Sequence, residues 1–231
     1  MDTVFKRSDS FMNRTPKKQN STLSTKGVIM FYLISGAGAS GKSSIIKQLR
    51  EILTNVECHD EDEIPYDPEN VYERFKTWFE KALQCQKEGK DFLITSHMPF
   101  GQLLGSKEAI KFNGISACLI DCHDYVRVKR YRNRPQFDEW PLIMDTLCWA
   151  AYHRMHAKEP EWEQRIVLNR NEGNYQHERW TSWKNDDPRW NVKVFDTTTN
   201  SIDKTVSVLV DWVNRKRTEE NLLTPEKKWW K

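Results

Sequence analysis

Apolar residues along this chain alternate between short unbroken runs and stripes of helical period. Residues 28–35 are almost continuously apolar, the composition of a strand covered on both faces. From about Lys42 onward, Ile45, Ile46, Leu49, Ile52 and Leu53 fall on one face of a helix. Residues 55–59 read as a short second strand. Asp67 and Pro68 pair a good N-cap with an imino acid suited to the first helical position. The helix expected to start there carries Val71, Phe75, Trp78, Phe79, Ala82 and Leu83 as its stripe and stops near Gly89. Further strands are predicted at 91–95, 115–121 and 192–196, and a last helix shows Ile202, Val206, Leu209, Val210 and Val213 on one side. Strands that alternate with helices in this way predict an α/β fold around a five-stranded parallel sheet.

Three segments break that rhythm. Residues 1–26 are polar and basic with sparse apolar positions, so they are expected to form a disordered tail; their Arg and Ser content also faintly resembles a transit peptide. Residues 130–190 are too long for a structureless loop and are rich in Trp, Arg, Asn and His, with a helix predicted at 140–157. This segment is expected to be an enlarged helical lid or substrate-covering insertion. Residues 217–231 read as a C-terminal tail, with Trp229 and Trp230 docking back or touching a partner. The main domain is therefore expected over 27–216.

Charge changes the picture little. Lys and Arg number 36 against 33 Asp and Glu, a net of +3, which selects no partner. The five cysteines are odd in number and scattered, which suits a reducing, cytoplasmic setting better than a disulfide scaffold. Cys118, Cys122 and His123 lack zinc-site spacing and read as strand-end packing. No apolar run approaches the roughly 18 residues of a membrane span.

Candidate chemistry is concentrated in Gly36-Ala37-Gly38-Ala39-Ser40-Gly41-Lys42-Ser43, which matches G-x-x-x-x-G-K-[ST] at every fixed position. The run sits between a predicted buried strand and an amphipathic helix. Gly36, Gly38 and Gly41 let the backbone curl around an anion, with Ala39, Ser40 and Ser44 contributing to the same cradle. Lys42 is suited to reach the β- and γ-phosphates of ATP, and Ser43 to offer its hydroxyl to Mg²⁺. The fold expected is thus a three-layer P-loop NTPase fold.

His59-Asp60-Glu61-Asp62-Glu63 follows the second strand, at the carboxyl edge where ligands of parallel sheets lie. If strand geometry persists, Asp60 and Asp62 point the same way. One carboxylate could then serve the metal while the other meets an acceptor hydroxyl. A P-loop followed by D-x-D at the second strand's end resembles small-molecule kinases of the shikimate, gluconate and adenylylsulfate kinase type, within the P-loop kinase superfamily. The resemblance spans roughly residues 28–215. It implies a metal-side role for Asp60 and a base or acceptor-binding role for Asp62. A set of bacterial-type ATP-binding P-loop proteins also shares the patterns at 59–63, 149–153 and 186–190.

Other positions carry weaker signals. Thr95, Ser96 and His97 end the third strand and are candidate acceptor contacts, or simply a strand-to-helix turn; Gly101 permits close backbone approach. The helix after the fourth strand resembles a lid entry, with Arg130 and then Arg134 as the arginines that would offset transition-state charge. In the insertion, His153, His156, Arg165, Arg170, His177, Arg179, Trp180 and Trp183 either shape a pocket or pack on one another. Thr198 and Thr199 are weak candidates for adenine contact, while Asn200 or Ser201 caps the last helix.

Together these features predict an ATP- and Mg²⁺-dependent phosphotransferase acting on a hydroxyl of a small molecule. The alternatives are a nucleoside, nucleotide or polynucleotide kinase, and a non-catalytic NTP-dependent switch. A nucleotide acceptor is less favoured because no D-R-[YH] segment follows the third strand.

Overall fold

The computed structural model describes residues 27–134, 143–168, 175–216 and 222–231. Strands β1 (Phe31–Ser35), β2 (Val56–Asp60), β3 (Asp91–Ser96), β4 (Ile115–Asp121) and β5 (Lys193–Asp196) form one parallel sheet in the order β2-β3-β1-β4-β5. Alternation within each strand explains why both faces are buried. Phe31, Leu33, Phe92, Ile94, Ile115 and Ala117 face one core, and Tyr32, Ile34, Leu93, Cys118 and Ile120 face the other. On the second face lie α1 (Lys42–Ile52) and α7 (Ile202–Lys216), through Ile45, Ile46, Leu49, Val206, Leu209, Trp212 and Val213. The first face is covered by α2 (Val71–Lys87) and α3 (Phe100–Gly105), through Phe75, Trp78, Phe79, Leu103 and Leu104.

Local signals misplace one start. Helix α2 begins at Val71, later than Asp67 suggests. The Asp67 carboxylate instead accepts from the Glu69 amide at 2.9 Å and the Asn70 side chain at 2.7 Å, folding a turn ahead of the helix. Asp and Pro favour turns as well as helix starts, and here the turn wins.

Within 130–190 the described residues include the end of α4 (Asp124–Arg132), α5 (Ile143–Lys158) and α6 (Arg165–Leu168). Trp140, Arg170 and the tail at 1–26 lie outside the described residues. Tyr152, Val167, Trp180, Trp183 and Trp190 join the first core, so the insertion is a packed wall on that face of the sheet. Gly101 does permit a close approach, but by a tryptophan. A Cβ there would lie 2.5 Å from Cζ2 of Trp180.

Residues 222–231 are not a tail outside the core, and of the two alternatives for Trp229 the structure shows the docked one. Leu223 bridges antiparallel to Ile115, and Leu222, Leu223 and Trp229 are buried. Trp229 meets Trp183 edge-on at 6.1 Å. The Arg189 guanidinium sits 4.1 Å over Trp183 and donates to the carbonyls of Trp229 and Lys231 at 2.9 and 3.1 Å. Among the described residues, no helix is long and apolar enough to cross a membrane.

Replacing Trp229 with Ala removes a ring that is 2% exposed. The expected cost is about 3–5 kcal/mol of stability, read by urea unfolding. A loss below about 1 kcal/mol would mean that the C-terminal segment does not dock.

Candidate active site

The P-loop leaves β1 at Ser35 and curls into α1. Gly36 has no room for a side chain: a Cβ would lie 2.6 Å from Ser40 Oγ and 2.7 Å from the Ile120 carbonyl oxygen. Ala39 (φ 57°) and Gly41 (φ 108°) take left-handed conformations, which turn successive amides toward one side. No side chain caps α1, so its first amides are left for an anion, with the helix dipole behind them. Ser40 Oγ is buried with no protein partner among the described residues. Ser43 and Ser44 are exposed beside it. Lys42 donates to the Gly36 and Ala37 carbonyls at 2.6 and 3.2 Å. Burial lowers its pKa to about 8, against the opposing pull of Glu61, Asp60 and Asp62, with Arg134 pushing further down. Those charges therefore gather around one ammonium.

Distant residues hold this loop from behind. Arg127 is fully buried and donates to the Gly38 carbonyl, the Cys122 carbonyl and the Asp121 carboxylate. Thr197 Oγ1 lies 2.9 Å from the Ser40 carbonyl and 3.0 Å from that of Asp121. Helix α5 crosses the front: a Cβ on Gly38 would meet Thr146 Cγ2 at 3.2 Å. Arg154 clamps α5 to Asp124 through two bonds, at 2.8 and 3.0 Å, and reaches Asp121 at 3.3 Å. A single carboxylate, Asp121, serves both arginines, with one oxygen to Arg127 and the other to Arg154.

The carboxylates behave differently from their spacing. Strand β2 ends at Asp60 and the chain turns into a 3-10 helix at Glu61–Glu63. Asp60 and Asp62 consequently do not point the same way, because strand geometry stops between them. Asp60 caps the turn, accepting from the Asp62 amide at 3.1 Å, and its other oxygen is buried without a partner. The Asp62 side chain is 61% exposed and pairs with Arg74 at 3.0 Å. Glu61 is the residue that enters the protein. It accepts from Ser96 Oγ and, at 2.7 Å, from the His97 amide, and it also meets His97 Nδ1. Burial pushes its carboxyl pKa up, but the His97 hydrogen bond and charge, the Lys42 charge and the Ser96 hydrogen bond together bring it to about 2.

No protein-family model and no curated protein matches this sequence. Solved structures do resemble its fold. An unliganded sugar kinase from Janibacter sp. HTCC2649 superposes with a TM-score of 0.50 at 13% identity, covering 80% of this chain and 95% of that one. A gluconokinase from Sinorhizobium meliloti 1021 gives 0.45 at 13% identity, over 82% and 93% of the two chains. Shikimate kinase from Acinetobacter baumannii, in complex with shikimate, gives 0.44 at 12%, over 83% and 96%. The chain has the P-loop kinase fold.

Within this kinase fold the sequence-selected residues divide. Lys42 and Ser43 open α1, the charges of Asp60 and Arg134 act on Lys42, and Arg134 is exposed and 5.9 Å over the Tyr131 ring. Arg130 is instead held by the hydroxyl and carbonyl of Thr197. Thr95 is fully buried, its hydroxyl 3.5 Å from the His59 carbonyl, whereas the His97 side chain is 42% exposed. Thr198 is tied to Asp196 and accepts from the His123 amide at 2.8 Å; Ser201 caps α7 through the Lys204 amide at 3.2 Å. In the insertion, Arg165 is an exposed ion pair with Glu163, and Arg179 donates to the Ser106 carbonyl at 2.6 Å. Sequence reasoning gave no role to Glu61, Asp121, Arg127, Arg154 or Thr197. Only Glu61 carried a signal, as part of the acidic run.

His153 and His156 pack behind the loop. His153 Nδ1 lies 3.2 Å from Ser35 Oγ, and His156 Nε2 accepts from the Gly101 amide at 3.2 Å. Burial holds His153 well below the usual imidazole range and brings His156 from 6.5 to about 3. The folded chain thus keeps His156 neutral where the unfolded chain takes up a proton. Its contribution to stability is present above pH 6.5 and is lost as the pH falls toward about 3. Urea midpoints should fall across that interval, and His156→Gln should flatten the slope. An identical slope in the variant would contradict the assignment.

Proposed function

We propose that this protein is an ATP-dependent phosphotransferase that moves the γ-phosphate to a hydroxyl of a small-molecule acceptor. The observation that carries the reading is the uncapped start of α1, wrapped by Gly36–Ser43, which faces Lys42 and the unpartnered oxygen of Asp60. In this reading Gly36, Gly38, Ala39, Ser40, Gly41 and Ser44 cradle the polyphosphate. Lys42 leaves its two carbonyls for the β- and γ-phosphates. Ser43 and Asp60 would hold Mg²⁺, which supplies positive charge against the phosphate oxygens. The buried, unpaired Asp60 oxygen fits a cation better than a bare cavity.

Arg130 is committed to the β5 exit, so it steadies Thr197, and Arg134 is the arginine that meets charge on the transferring group. Thr198 lies in the exit loop beside the base. Asp62, held by Arg74 at the rim, contacts the acceptor, with Thr95 and Ser96 behind it. The rings of Trp180, Trp183 and Trp190 are packed in the core and offer no face for base stacking, which favours a small acceptor over a polynucleotide.

Lys42→Ala should weaken ATP binding about 10–100-fold by calorimetry, the worth of a charge-assisted hydrogen bond. Unchanged affinity would remove the P-loop from the reading. In parallel, ADP formation with Mg²⁺ is measured against pooled sugars, nucleosides, amino alcohols, hydroxy acids and short oligonucleotides. One pool should stimulate wild type, and Asp62→Asn should lose that stimulation. ATP binding with no response to any pool would point to the switch.

A further inference from the structure

We propose that His97 is the general base that takes the acceptor's hydroxyl proton, with Glu61 as the residue that positions its ring. The inference rests on the phosphotransferase reading above and assigns deprotonation to a residue other than Asp62.

Placement comes first. Ser35 pairs with Ser96 across β1 and β3, and the Gly36 amide donates to the Ser96 carbonyl at 3.1 Å. His97 therefore follows directly beside the first glycine of the P-loop, at the carboxyl edge of the sheet. Glu61 supplies the orientation. It is 1% exposed, and both of its oxygens are spent on the β3 exit: Ser96 Oγ, the His97 amide and His97 Nδ1. Glu61 accepts from the His97 amide through the same oxygen that meets Nδ1 and from Ser96 Oγ through the other, so it faces the ring as an acceptor and the neutral ring carries its proton on Nδ1. The lone pair is then on Nε2, across the ring from Glu61, and the side chain is 42% exposed. Asp62 in contrast lies at the rim, with one oxygen 3.0 Å from Arg74.

The charged and titratable groups around the ring come from three elements. Lys42 lies on the P-loop side, Asp60, Glu61 and Asp62 on the β2 side, and buried His153 on α5. The Glu61 carboxylate against Nδ1 suits an imidazolium that forms during transfer. In the step itself, the acceptor O–H proton passes to His97 Nε2 as the oxygen bonds to the γ-phosphorus. The bond from that phosphorus to the bridging oxygen breaks, its electron pair leaves on the β-phosphate of ADP, and the imidazolium later releases its proton to water.

The first test needs no acceptor. Two-bond ¹H–¹⁵N NMR of the imidazoles, with His97 assigned by its absence in His97→Gln, should show the Nδ1–H tautomer in wild type. Glu61→Gln should shift it toward a mixture. An Nε2–H ring in wild type overturns the proposal. The second test reads ADP formation at saturating Mg·ATP, with water or the stimulating pool as acceptor. His97→Gln should lower kcat about 100-fold or more while leaving ATP affinity unchanged. A variant within threefold of wild type also overturns it. Wild type that binds no ATP, or binds it without any turnover, sinks the phosphotransferase reading itself, and the ATP titration separates that failure from a failure of the dyad.

Discussion

The rest of the site depends on the pinch at Gly36. Its amide is bound to the Ser96 carbonyl on one side, and the place a Cβ would take is occupied by the Ile120 carbonyl and Ser40 Oγ. The loop's first residue is therefore wedged between the ends of β3 and β4. That wedge follows from the strand order, which puts β1 in the middle of the sheet. The ends of β3 and β4 then flank the loop directly, and the end of β2 lies one strand further out. The arrangement is stiff because the side chains of β1, β3 and β4 are packed above and below the sheet.

Buried charge is the second constraint. Lys42, Glu61, Asp60, Asp121 and Arg127 are all nearly inaccessible. None could be buried alone at tolerable cost. Arg127 and Asp121 neutralise one another while their remaining hydrogen bonds go to loop carbonyls. Glu61 is matched by the Lys42 charge and by hydrogen bonds from Ser96 Oγ and the His97 amide. The histidines at the back, His153 and His156, carry no charge there. Asp60 caps the turn after β2 with one oxygen and leaves the other buried without a hydrogen-bond partner among the described residues.

The insertion and the C-terminal segment share one job in the fold. Trp180 lies on Gly101, Trp190 donates its indole N–H to the His156 carbonyl at 2.9 Å, and Trp183 carries both Trp229 and Arg189. This aromatic layer covers the β1–β3 face and supports α5 where it crosses the P-loop. Residues 222–231 close its outer side, so a stretch that reads as a tail contributes to the core.

Much of this was legible in the sequence. Period-two and period-3.6 patterns report burial of immediate neighbours, so the strands and α1, α2 and α7 could be read with errors of a few residues at their ends. The P-loop motif is equally local, because its chemistry needs consecutive amides followed by a helix start. Tertiary structure decided where the carboxylates point. Asp60 is the last residue of β2 to pair with β3, opposite Thr95, and once that pairing stops the chain is free to coil. The coil sends Glu61 inward to Ser96 and His97 and leaves Asp62 at the rim. The meetings of Arg127 with Gly38, and of Thr197 with Ser40, join residues far apart in the chain and leave no periodic trace in it. The tryptophans carry the same lesson. A sequence states that a ring is large and apolar, but only the packed fold supplies the glycine against which it rests.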